Sequence, residues 1–292
     1  GYASHALAAL DVALWDLKGK ILGQPVWRLL GGARARVPVY GTFGFGFLDR
    51  EELAAEAKAW VARGFRYLKM TVGQHALARR DEPRPIDDVI AEDARRVRAV
   101  REAVGPGIGI VVDANCSLDA EHAYRLCRLV EDCDLMFFEE PITQNDVARM
   151  ADLRRRTGVP ISAGQNEGLL YRFRDLVAGE AVDALQPNVV ISGGFTQAVK
   201  IAALAEAYNV GLHNGGAWSH HNMHLHAGLS HGGVVEYHAV AIACVSQIYP
   251  DLAVPQDGWL TLPETPGLGF APDAAAVAEL ARRPLSGGTG KA

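Results

Sequence analysis

Short apolar runs rich in β-branched residues alternate along the chain with longer segments in which apolar positions recur every three or four residues. Side chains switch faces at each step of a strand and return to one face every 3.6 residues of a helix, so the two patterns read as strands and helices. Eight strands are predicted, over residues 37–40, 65–72, 108–113, 135–139, 159–163, 182–186, 209–213 and 233–237. The runs GIGIVVDAN and CDLMFFEEP are apolar without alternation, as expected of parallel strands covered on both faces. Several of the intervening helical segments stop at Gly or Asn. In DREELAAEAKAWVARG, Asp49 is placed to cap the N-terminus, and Leu53, Ala57, Trp60 and Val61 form an apolar face.

Eight strands separated by helices predict an α/β fold, a TIM-like (β/α) barrel, over an open doubly wound sheet. A dinucleotide-binding sheet is disfavoured, because the glycines of GTFGFG after Tyr40 have the wrong spacing. The barrel is expected over residues 1–272, with a C-terminal helix and flexible tail over 273–292. The charged stretch RRDEPRPIDDV is expected as an exposed loop or helix entrance, and SGGTGKA as disordered.

In a parallel barrel the chemistry stands at the C-terminal ends of the strands. Those ends carry Lys69 and Thr71, Asp113 and Asn115, Glu139, Gln165, Asn188, His213 and Glu236. Asp113, Glu139 and Gln165 succeed one another at intervals of 26 residues, about the length of one strand, one helix and two loops. Equivalent places on three adjacent strands are predicted for them. Three converging oxygen donors suit a hard divalent cation, most plausibly Mg²⁺. In HNGGAWSHHNMHLHAG, His220 and His224 are four apart, but the Glu of an H-E-x-x-H zinc motif is absent. The Gly-rich loop and Trp218 are expected at the barrel mouth.

The ordered segments ALAALDVALWDLKGKILGQPVWRLLGG, VDAN, FFEEP, ISAGQNEG, LQPN and PGLG resemble the barrel domain of the enolase superfamily, in its mandelate racemase and muconate lactonizing enzyme branch. The resemblance runs from about residue 6 to residue 270. It implies an Mg²⁺-dependent enzyme that abstracts the proton α to a carboxylate through a metal-stabilised enediolate. By that likeness Asp113 and Glu139 are metal ligands, and Gln165 stands where the family has a third acid. Lys69 matches the first lysine of a Lys-x-Lys pair whose second member is here Thr71. Asn188 stands where the racemase branch has an Asp. His213 lies about two residues before the position of the His that this Asp orients. Glu236 matches an acid that bonds the substrate carboxylate, and Asn115, Thr71 and Trp218 are candidate substrate contacts. The family also carries an α+β capping domain, and the start at Gly1 is read as the junction between that domain and the barrel.

These departures favour one-base chemistry. Loss of a β-hydroxyl after α-proton abstraction needs one base, one metal and one acid, which Lys69, the Asp113/Glu139/Gln165 cage and His213 could supply. A sugar-acid or hydroxy-acid dehydratase is therefore the leading expectation. A racemase, an epimerase or a cycloisomerase of the same superfamily is the first alternative, and a non-catalytic binding protein on a degenerate barrel the second. Composition changes little. A net charge of −5 disfavours a nucleic-acid partner, and no apolar run is long enough to cross a membrane. Four cysteines without a C-x-x-C pair fit a reducing cytoplasm. The expected partner is a small carboxylate, and the family likeness implies a homo-oligomer.

Overall fold

The computed structural model describes residues 1–73 and 85–283. The expected disordered tail over 286–292, and the charged stretch up to residue 84, lie outside the described residues. The remainder of that stretch opens a helix, α4 (Ile86–Val104), with Pro85 at its N-cap.

Each of the eight expected strands is present: β1 (Arg36–Gly44), β2 (Tyr67–Thr71), β3 (Gly109–Asp113), β4 (Leu135–Glu139), β5 (Ile161–Ala163), β6 (Ala184–Leu185), β7 (Gly211–Leu212) and β8 (Val235–His238). They form one sheet in the order β7-β6-β5-β4-β3-β2-β1-β8, and every neighbouring pair is parallel. Asn214 N, just past β7, donates to Val234 O at 3.0 Å and so links the two ends of that order. The sheet is thus a curled parallel one. β6 and β7 are shorter than expected, although ladder bonds continue beyond them from Gln186 N to Ala163 O and from His213 N to Leu185 O, both 2.9 Å. A ninth strand, β9 (Trp259–Thr261), pairs antiparallel with the start of β1. Three residues are too few for a periodic signal, and the sequence pattern does not predict it.

Helices cover the outside of the curl. In α3 (Arg50–Ala62) the expected face is the buried one: Leu53 and Ala57 are fully buried, Trp60 nearly so, and Val61 half-buried. Asp49 Oδ1 accepts from Glu51 N and Glu52 N, while Glu52 Oε2 accepts from Asp49 N. This reciprocal cap satisfies amides that no helical carbonyl reaches. Asp49→Ala is expected to lower stability by about 1 kcal/mol in urea denaturation; an unchanged midpoint would mean that the cap contributes nothing.

The first helix, α1 (Tyr2–Leu22), lies against α8 (Gly194–Ala207), with Trp15 edge-on to Phe195 and bonded through Nε1 to Thr196 Oγ1. Its other face leaves Leu10, Leu14 and Ile21 exposed. Among the described residues no helix is long and apolar enough to cross a membrane.

Candidate active site

The parallel register brings the acidic strand ends together. Thr71 pairs with Asp113, and Asp113 with Glu139, so two carboxylates stand side by side on adjacent strands. The third member arrives differently. Glu139 pairs with Ser162, so Gln165 lies three residues past the matching level despite its equal sequence spacing. Gly164, at φ 127°, turns the chain in a conformation that side-chain-bearing residues rarely adopt. That turn returns Gln165 to the ring, where Nε2 donates to Asp113 Oδ2 and to Glu140 Oε2, each at 3.3 Å.

Lys69 is the cation of this ring. Its Nζ lies 3.0 Å from Asp113 Oδ2, 2.8 Å from Glu139 Oε1 and 2.9 Å from Glu236 Oε1, with all four side chains buried. Burial alone would push the ammonium pKa down. The carboxylates of Asp113, Glu139 and Glu236 outweigh it and hold Lys69 well above its ordinary value. Glu139 is pushed well up by burial and by the neighbouring Asp113 charge. Glu236 is buried too, yet Lys69 and the hydrogen bonds from Thr42 and Ala217 N keep it below the usual carboxylate range. Both Glu236 oxygens are engaged, Oε1 by Thr42 Oγ1 at 2.6 Å and Oε2 by Ala217 N at 2.6 Å. Asn115, at φ 48°, donates from N and Nδ2 to the two Asp113 oxygens and so fixes that carboxylate. Thr71 Oγ1 donates to Gly44 O at 3.0 Å.

These side chains line a cavity of about 250 Å³ at the mouth of the curled sheet. Lys69, Thr71, Asp113, Asn115, Gln165 and Glu236 share it with Thr42, Phe45, Gly216, Ala217 and His238. Seven of the ten residues singled out from sequence are therefore brought to one place, counting Glu139 through its bond to Lys69. Three are not. Asn188 Nδ2 donates to the carbonyls of Gly215, Gly216 and Ala217, and its Oδ1 accepts from Val190 N and Asn222 Nδ2. It shapes the loop over the cavity and makes no bond to His213. The His213 ring stacks on Phe137 at 5.4 Å, and its Nδ1 has no partner. Desolvation pushes its pKa down to about 4, so it stays neutral at physiological pH. Trp218 is 41% exposed and stands edge-on to His221, outside the cavity.

Gly215 lies two residues after His213. A Cβ there would stand 2.8 Å from Glu139 Oε1 and 3.0 Å from Gln186 Nε2. Backbone without a side chain thus stands beside Glu139 at this point of the chain. The run of histidines beyond it is structural. His224 accepts from Trp27 N and bonds Leu268 O, and His220 bonds Ala253 O.

Two features of the site have no clear mark in the sequence pattern. Glu140, at φ 41°, is fully buried and accepts from Asn145 Nδ2, Asn166 N and Gln165 Nε2, which ties the loops after β4 and β5 together beneath the ring. Its position directly after Glu139 is the one signal that points to it. His238, the last residue of β8, also lines the cavity.

The donors fit a hard divalent cation. Asp113 and Glu139 already converge on one positive charge, and Glu139 Oε2 is buried with no hydrogen-bond partner. A buried carboxylate oxygen without a partner is costly and is satisfied by a cation. Among the described residues no trio of His, Cys, Asp or Glu is arranged as a metal site, and Gln165, beside Asp113, is a residue that could supply a further oxygen. Its amide now offers N–H to carboxylates; a half-turn of the amide would present Oε1.

Comparison with known proteins agrees with this geometry. Residues 52–276 match the family model described as enolase C-terminal domain-like. Residues 2–31 match that of the mandelate racemase / muconate lactonizing enzyme N-terminal domain. The chain is 34% identical to the 3,6-anhydro-alpha-L-galactonate cycloisomerase of Streptomyces coelicolor, over 96% of this chain and 73% of that protein. It is 30% identical to the arabinonate dehydratase of Saccharolobus solfataricus, over 92% of this chain and 70% of that one. The crystal structure of L-talarate dehydratase from Polaromonas sp. JS666, complexed with Mg and L-glucarate, superposes with a TM-score of 0.83 at 32% identity, covering 95% of this chain and 73% of that chain. Strand-end acids around a single lysine, on a sheet that these relatives share along most of this chain's length, mark it as a member of the enolase superfamily, in the mandelate racemase and muconate lactonizing enzyme branch.

Proposed function

We propose that this protein is an Mg²⁺-dependent lyase that dehydrates a sugar acid or related hydroxy acid by removing the proton α to its carboxylate. The observation that carries the reading is the single amine of the cavity. Among the described residues Lys69 is the only amine lining it, His213 is held away on Phe137, and Gly216 and Ala217 bring no titratable side chain. A racemase needs a proton carrier on each face of the α-carbon. Elimination needs one, and so does ring opening or closure. The cycloisomerase relative supports the latter as the second reading.

Asp113, Glu139 and Gln165 would hold the metal. A bound Mg²⁺ polarises the substrate carboxylate and offsets the negative charge that develops as the α-proton leaves. The remaining work belongs to the chain. Lys69 Nζ would accept the α-proton, for which it must first lose the proton that Asp113, Glu139 and Glu236 hold on it in the metal-free site, and the proton would then leave with the β-hydroxyl as water. Glu236, fixed by Thr42 and Ala217 N, positions Lys69. Asn115 holds the Asp113 carboxylate in place.

Two measurements test this. Mg²⁺ at a hundred times its Kd is expected to raise stability by about 2.7 kcal/mol, seen as a rise in Tm. A panel of sugar acids in D₂O should include one whose α-proton exchanges or whose β-hydroxyl is lost, by proton NMR. With neither stabilisation nor exchange, the binding-protein alternative would replace the enzyme.

A further inference from the structure

His238 ends β8, two residues after Glu236, and its ring lines the cavity that holds Lys69 and Asp113. Its two nitrogens are not equivalent. Nδ1 accepts a hydrogen bond from Ala241 N at 3.2 Å and so caps the short helix α10 (Ala239–Val245). A ring nitrogen that accepts carries no proton, so the neutral imidazole must carry its proton on Nε2. Nε2 has no hydrogen-bond partner among the described residues, and it is not a buried orphan atom. The ring itself is held against Phe45, with centroids 5.2 Å apart, and Phe45 in turn stacks on the exposed Phe47. Protonating the ring would require breaking the Ala241 bond, and burial likewise favours the neutral form.

We infer that His238 is a substrate-binding residue, a neutral Nε2–H donor aimed at a hydroxyl oxygen of the substrate chain, with Phe45 beside it as the apolar wall for that chain's carbon face. The inference rests on the hydroxy-acid reading above and deepens it. The carboxylate end of the substrate belongs to the Lys69 ring, and the His238–Phe45 corner selects acids that carry a hydroxyl beyond the α-carbon. No proton is transferred. The donor stays in place because the cap sets the tautomer before substrate arrives.

The test separates the cap from the donor. Asn is a good N-cap, so His238→Asn can keep an acceptor for Ala241 N while removing the Nε2–H. With Mg²⁺ present, His238→Asn is expected to raise the Kd of a 2,3-dihydroxy acid about tenfold, the effect of one hydrogen bond. The Kd of the matching acid that lacks the 3-hydroxyl should stay within twofold, and so should the Kd for Mg²⁺. Nitrogen-15 NMR of the wild-type histidines should show His238 as the Nε2–H tautomer at neutral pH. Equal affinity of wild type and His238→Asn for the dihydroxy acid, or an Nδ1–H tautomer, would overturn the inference while leaving the enzyme reading intact. A wild type that shows the Nε2–H tautomer but binds and exchanges no hydroxy acid would instead bring down the enzyme reading, and this inference with it.

Discussion

Lys69→Met is expected to destabilise the metal-free protein by about 3–5 kcal/mol, the usual cost of removing one partner from a buried ion cluster. The size reflects the count of charges. Asp113, Glu139 and Glu236 each place an oxygen within 3.0 Å of Nζ, and none of the three is more than 3% exposed. Met fills a similar volume without the charge, so the loss reports electrostatics more than packing. Part of the loss is relieved because Glu139, already pushed up by burial, can take a proton. Mg²⁺ should restore much of the remainder, since a second cation then faces Asp113 and Glu139. Urea denaturation with EDTA and with Mg²⁺, for wild type and variant, gives the four values needed. A variant as stable as wild type in EDTA, or one that gains no more from Mg²⁺ than wild type does, would show that Lys69 is not the counter-charge of a cation site.

The strands and the two leading strand-end acids were legible because the signal was local. An apolar run sets where a buried strand lies, and its first acid marks where it meets the mouth. Asp113 and Glu139 then fall in register by themselves. Gln165 shows the limit of spacing. Equal separation along the chain did not mean equal height, because β5 is short and Gly164 redirects the backbone immediately before Gln165. His213 shows a second limit. Two residues along a strand preserve the face but change the layer, and the ring ends on Phe137 instead of in the cavity. The membership of Glu236 in the Lys69 ring depends on β8 pairing with β1, a contact between residues nearly 200 apart that no local pattern states. His238 was hidden because it performs a local task as well, and a helix cap explains such a residue without reference to a site. Trp218, expected to line the mouth, stands outside the cavity beside His221, while the neighbouring Ala217 lines it.

Glu139→Gln and Gln165→Glu should move metal affinity in opposite directions, and the pair tests the cage more sharply than either alone. Glu139 carries the only carboxylate oxygen in the ring that is buried without a partner. Its replacement removes one of two anionic donors and leaves an amide N–H against Lys69. Mg²⁺ binding should weaken strongly, and α-proton exchange should fall by about 10³-fold, the scale of losing one fixed group that stabilises developing charge. Gln165 now donates to Asp113 and Glu140 and so relieves their repulsion. A glutamate there would add a third carboxylate to two that lie within hydrogen-bonding reach. The metal-free protein should become less stable, and the Mg²⁺ affinity should rise on the order of tenfold or more, because ligand charge count sets affinity for hard cations. Calorimetric titration with Mg²⁺ reads both variants. If Gln165→Glu destabilises the metal-free protein but leaves affinity unchanged, Gln165 lies beside the cation and not on it, and the cage reduces to Asp113 and Glu139. If Glu139→Gln binds Mg²⁺ as wild type does, the strand-end acids are only the counter-charges of Lys69, and the relatives' metal chemistry does not extend to this chain.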